Sequence, residues 1–140
     1  MTPPAQTPTV SLEDRLDRGQ WPTICEPHRR IGQLLDDRTI PFFYRPDLLI
    51  YENNRPAIWQ PDFVVPQWHG LVLDYAEHRS PITEYKEQVY QANGVPAVLV
   101  YPETVYGPEP AEILFEMMYE ATRKAVERQS IRSGHIQPGQ

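Results

Sequence analysis

Residues 57–76, AIWQPDFVVPQWHGLVLDYA, decide the fold. AIWQPDFVV (57–65) reads as one β-strand and GLVLDYA (70–76) as the next, with PQWHG turning between them. Each strand carries a single acid, Asp62 and Asp74. Strand alternation puts Leu71, Leu73 and Tyr75 on one face and Val72, Asp74 and Ala76 on the other. Asp is disfavoured in strands. A buried carboxylate is costly unless it is paired or bound to a cation. An acid inside LVLDY is therefore the first candidate for chemistry.

Outward from that hairpin, IPFFYRPDLLIYE (40–52) is interrupted by Pro41 and Pro46, so it is an edge strand or two short pieces. NNR (53–55) is a tight turn, because Asn tolerates positive φ. The three runs are expected to form an antiparallel meander. Ahead of them PHRRIGQLLDD (27–37) reads as a helix with an apolar stripe of Ile31, Leu34 and Leu35. Behind them Ser80-Pro81 starts a helix that runs to about Asn93 and stops at Gly94, with Ile82, Tyr85, Val89 and Ala92 as its core stripe. VPAVLVY (95–101) is an apolar run of the kind found in buried strands. PETVYGPEP reads as a loop. Residues 110–128 read as an amphipathic helix with Ile113, Leu114, Met117, Met118, Ala121 and Ala125 on one side.

The ends are expected to differ from the middle. Residues 1–20 read as a flexible segment in which SLEDRLDRG forms a short helix capped by Ser11; residues 21–128 as one domain, starting near Trp21; residues 129–140 as a flexible tail. The order α–β–β–β–α–β–α implies an α/β domain: a mixed sheet flanked by helices, with a helix at the C-terminal end.

Composition bounds the function. The chain has 140 residues, 40% hydrophobic and 11% aromatic, enough for one core. A mean hydropathy of −0.56 and the lack of a long apolar run exclude a membrane span. The start MTPPAQTPTV has no basic or apolar leader pattern. The single cysteine, Cys25, cannot form an internal disulfide and is expected to be a small buried residue, which suits a reducing cytoplasm. A net charge of −6 argues against a general nucleic-acid coat but leaves room for a local arginine face. Only Lys86 and Lys124 are lysines; the other basic residues are arginines, whose planar fork suits phosphate.

The Pro61-Asp62 pair, Asp74 on the following strand and the element order over residues 24–101 resemble the PD-(D/E)XK nuclease superfamily. The resemblance implies a restriction-endonuclease-like core, α-β-β-β-α-β, and a Mg²⁺- or Mn²⁺-dependent nuclease acting on nucleic acid, DNA rather than RNA. It implies Asp62 and Asp74 as metal ligands and catalytic residues, with Glu26 on the first helix as a third ligand. The family lysine is expected two residues after the strand acid, where this chain has Ala76. Some branches carry the lysine on the next helix as K-x-x-x-Y, and Lys86 and Tyr90 fit that pattern. The chemistry is consistent: carboxylates on strands about 5 Å apart can share an ion, the ion activates water and the phosphate, and a lysine stabilises the developing charge.

Other registrations stay open. Pro46-Asp47 is a second PD pair, read here as a break in an edge strand. Glu84-Tyr85-Lys86 is a literal E-x-K but falls on a helix. Glu26 would equally complement a helix dipole, Lys86 would equally pair with Glu84 or Glu87, and Gln60 and Glu77 flank the site. Phosphate contacts are expected from Arg29, Arg30 and Arg79, with Arg45 and Arg55 as further candidates; scattered surface charge is the alternative. His78, beside Arg79, and His69, in a turn, carry little weight. A non-catalytic module of the same fold is the rival reading, favoured by Ala76. A generic α/β interaction domain is the third, with Met117, Met118 and Tyr119 helping a homodimer form.

Overall fold

The structure is a computed structural model that describes the backbone of residues 24–136 and the side chains of residues 24–130. The expected helix at 11–19, the start at Trp21 and the last residues lie outside that range.

The sequence folds as an α/β domain with a mixed four-stranded sheet. Its strands, in spatial order, are β1 (Phe43–Tyr44), β4 (Phe63–Val65), β5 (Leu71–Tyr75) and β6 (Ala97–Val100). β1 and β5 flank β4 antiparallel, with Tyr44 opposite Phe63 and Phe63 opposite Leu73. β6 lies parallel to β5, with Leu99 opposite Asp74. The remaining strands, β2 (Leu48–Glu52) and β3 (Arg55–Trp59), form a separate hairpin. Asn53 and Asn54 at its tip both have positive φ, 53° and 66°, as a two-residue turn of type I′ requires.

This arrangement corrects the single strand expected over 57–65. The run is cut at Gln60-Pro61-Asp62. Pro61 has no N–H to give a ladder, so Arg55–Trp59 pairs with β2 while Phe63–Val65 joins the main sheet. The meander therefore consists of β1, β4 and β5, and the 40–52 run is two pieces.

Helices cover both faces. Helix α1 (Glu26–Asp37), the short α3 (Pro102–Val105) and the long α4 (Pro110–Ile136) pack on one side. There Ile31, Leu35, Leu114 and Met118 meet Phe63, Leu71, Leu73 and Val100. Helix α2 (Pro81–Ala92) and the β2–β3 hairpin cover the other side, where Ile50, Val89 and Tyr90 meet Val72. With both faces covered, Leu71 through Asp74 are buried without alternation. No described helix is long and apolar enough to cross a membrane.

Helix α2 starts as expected. The Ser80 hydroxyl accepts from Thr83 N–H at 3.3 Å, and the Thr83 hydroxyl accepts from Ser80 N–H at 2.9 Å. This reciprocal cap satisfies two otherwise orphaned donors. Its buried face differs from expectation. Ile82 and Tyr85 are 68% and 42% exposed, and Ala92 is exposed. Thr83, Val89 and Tyr90 are buried instead. The helix is rotated so that the side carrying Thr83 and Tyr90 looks inward, with Lys86 half-buried between them.

Further corrections are local. The expected loop at 102–109 contains a helical turn, α3. Helix α4 runs on to Ile136 rather than ending at 128, and Ile113 is exposed. Cys25 is exposed at the cap of α1 rather than buried.

Candidate functional site

The β4–β5 junction brings Asp62 and Asp74 together. Asp62 directly precedes β4, and its N–H donates to Asp74 Oδ1 at 2.8 Å. In return Tyr75 N–H donates to Asp62 Oδ2 at 2.7 Å. The break at Pro61 makes this exchange possible, since it frees the Asp62 backbone from the hairpin ladder. Asp74 is 3% exposed. Burial pushes its carboxyl pKa up, and the neighbouring Asp62 charge pushes it further; the Asp62 N–H, Lys86 and the Tyr90 hydroxyl act in the opposite direction.

Tyr90 donates its hydroxyl to Asp74 Oδ2 at 2.9 Å. Burial, followed by the Asp74 charge, raises the Tyr90 pKa, so the phenol stays protonated and remains a donor. The ring is fixed edge-on against Trp59 at 5.3 Å. Lys86, one turn earlier and half-buried, supplies the positive charge that Asp74 senses.

On the other side of the pair stands a group that the sequence reading missed. His28 Nε2 lies 3.1 Å from Asp62 Oδ2, and Nδ1 lies 2.7 Å from the Tyr44 hydroxyl. An ionised Asp62 can only accept, so the proton on that contact belongs to Nε2. In the neutral ring Nδ1 then accepts from Tyr44. Burial raises the Tyr44 pKa, which keeps that hydroxyl a donor. His28 is itself only 8% exposed, wedged edge-on against Tyr44 and Phe63. The sequence did hold a signal: His28, Ile31 and Leu35 share one buried helix face, so a titratable ring sat on the apolar stripe. Arg45 adds a guanidinium 3.9 Å from Asp62 Oδ1.

The remaining candidates go elsewhere. Glu26 is exposed and held by Arg30 at 3.1 Å. Glu77 is exposed, and burial together with the neighbouring Glu77 carboxylate pushes the Tyr75 pKa up to about 12. Gln60 donates to Asp47 at 3.0 Å on the surface. Arg30 also covers the Tyr106 ring at 4.7 Å. Arg79 pairs with Glu103 at 2.6 Å and stacks on Tyr101 at 3.9 Å. Arg29 is half-buried on α1, and Arg55 is exposed at the hairpin tip.

Among the described residues, no group of three or more His, Cys, Asp or Glu is arranged to hold a metal ion. Glu26 therefore does not complete a three-ligand cage with the pair. What the pair offers is carboxylate oxygen: Asp62 Oδ2 already takes the Tyr75 N–H and lies 3.1 Å from His28, which leaves Oδ1, 3.9 Å from Arg45, beside the two Asp74 oxygens. Each Asp74 oxygen accepts one hydrogen bond, and a carboxylate oxygen has a second lone pair. Mg²⁺ is commonly held by one or two carboxylates, with water and substrate phosphate filling its other positions. That donor set fits an ion held jointly with substrate.

No protein-family model, curated protein or solved structure matches the chain.

Proposed function

We propose that the chain is a divalent-metal-dependent nuclease, with Asp62 and Asp74 as the ligands of Mg²⁺ or Mn²⁺ and DNA favoured over RNA as substrate. The observation that carries this reading is Asp74: a buried carboxylate on an interior strand, beside a second acid, within reach of the Lys86 charge. Like charges so placed favour a shared cation. The element order α1, β1, β4, β5, α2, β6 supports a restriction-endonuclease-like core, with the β2–β3 hairpin inserted after the first strand.

In this reading a bound ion would activate water and polarise the phosphodiester. The chain's own residues prepare the site. Tyr90 and the Asp62 N–H orient the Asp74 carboxylate, and His28 and the Tyr75 N–H orient Asp62. Lys86 supplies fixed positive charge for the phosphate, in the role of the lysine missing at Ala76. Arg45 adds a second cation at the Asp62 side.

The test is DNA degradation by the purified chain with Mg²⁺ or Mn²⁺. Cleavage that Asp74→Asn lowers by about 10²-fold or more is expected for a lost metal ligand. Inert wild-type protein across single-stranded, duplex and branched DNA would remove the catalytic reading.

A second reading has its own support. The two acids already bond each other's strands, so they work as a latch closing the β4–β5 junction. A non-catalytic binding module would keep that latch without metal. Metal binding without cleavage, or neither, separates the two.

A further inference from the structure

The open edge of the main sheet carries an inference that does not depend on the acid pair. β6 is the last strand, and among the described residues it pairs only with β5. The carbonyls of Pro96 and Val100 accept from Val72 and Ala76 at 2.8 and 2.9 Å, so these residues turn their backbone toward β5. Strand backbones alternate sides, and Ala97 and Leu99 therefore turn N–H and C=O away from it.

Those outward groups meet a groove of about 410 Å³ that runs between the two helix layers. Glu87 and Gln91 of α2 form one wall. Met117, Glu120, Ala121 and Lys124 of α4 form the other. An unpaired strand edge is a template for another strand. The AVLV segment has no charged side chain to repel one.

We propose that the occupant is a second copy of this chain, its β6 antiparallel to this β6 about a two-fold axis at Val98. Ala97 then exchanges both N–H···O bonds with Leu99 of the partner subunit, and Leu99 with the partner's Ala97. The two four-stranded sheets become one continuous sheet. The axis stands normal to it, so the two α4 helices run antiparallel side by side. The groove wall on α4 is acidic at Glu120 and basic at Lys124 and Arg128, farther along the helix. An antiparallel copy sets acid opposite base at both ends, the self-complementarity that a two-fold contact needs. This charge order is what favours a second copy over an unrelated peptide, which would need only the backbone edge. Ala121 between the charges permits close approach. Glu120 also contacts Arg123 at 2.8 Å within its own helix, an exposed pair that is easily exchanged.

Sedimentation equilibrium of the full chain over rising concentration tests this. Wild type is expected to approach twice the 16.3 kDa chain mass. Ala97→Pro removes an N–H that no described residue of the same chain uses, as edge strands tolerate. It is expected to give the single-chain mass with unchanged circular dichroism. Glu120→Lys is expected to weaken association about tenfold or more by placing like charges together, and Glu120→Lys with Lys124→Glu to restore it. Should Ala97→Pro fail to fold, the charge swap decides alone. A wild type that stays at single-chain mass overturns the proposal, and so does a dimer indifferent to Glu120→Lys. A monomer that instead binds an extended synthetic peptide in the groove overturns it in favour of a different partner.

Discussion

Asp74 is a buried acid on an interior strand of the main sheet. Its two oxygens are held by Asp62 N–H and Tyr90 O–H. Asp74→Ala leaves both buried donors unmatched and is expected to cost about 1–3 kcal/mol in urea unfolding. Asp74→Asn keeps a carbonyl acceptor for the Asp62 N–H, and its NH2 can donate to the Tyr90 oxygen once that hydroxyl rotates its proton away, so it is expected to cost less. The two variants also separate by pH. The folded-state pKa of Asp74 lies above its ordinary value of 3.8. The folded chain thus keeps a proton that the unfolded chain has released. Stability falls as pH rises from the ordinary carboxylate range through the raised pKa. Asp74→Asn is expected to remove that fall, leaving a flatter stability curve above the ordinary range; a slope identical to wild type would show that Asp74 does not titrate as described. Tyr90→Phe, which strips a donor from a buried carboxylate, is expected to destabilise by about 1.5–3 kcal/mol at neutral pH.

Residue types and spacing made the two acids legible, because a strand acid has few innocent explanations. His28 was not legible in the same way. It reaches Asp62 from a helix far away in sequence, and only packing on the α1 stripe brings the ring there. Glu26 illustrates the converse. Its position at a helix start fitted the family pattern, but an arginine one turn on, Arg30, takes up the carboxylate.

At the scale of elements, helix α2 sets the site. Its cap, first turn and stop followed from Ser80, Pro81 and Gly94, whose chemistry is local. Its rotation did not, because Ile82 and Tyr85 looked as suitable for the core as Thr83 and Tyr90. The hairpin explains the difference: Glu52 accepts the Tyr85 hydroxyl, and Trp59 packs beside that ring at 6.5 Å, so Tyr85 is held at the rim. The inward side then belongs to Thr83 and Tyr90. Ser80→Ala removes the cap acceptor and is expected to lower stability by about 1 kcal/mol, read as a shift in the urea midpoint with an unchanged slope. The break at Pro61 was readable only as a proline within a strand. Its consequence, two sheets instead of one, depends on which partners the pieces find. Lys86→Ala is expected to leave the fold intact and reduce DNA cleavage, since the side chain is half-buried and has charge as its main contribution. Undiminished cleavage would detach Lys86 from the site.

At the scale of the molecule, a sheet covered on both faces places one acid-bearing junction between the layers. His28 reaches it from α1 and Tyr90 from α2, so the two layers meet at Asp62 and Asp74. The α/β class and mixed sheet were legible from element order, because an apolar run after a helix implies a parallel neighbour. The hairpin set apart from the sheet was not. The proposed divalent cation would sit at this junction. Isothermal titration of Mn²⁺ into the full chain tests it most directly. Saturable heat is expected in wild type and its loss in folded Asp62→Asn and Asp74→Asn, whereas no heat in folded wild type, or equal heat in all three, would contradict the claim.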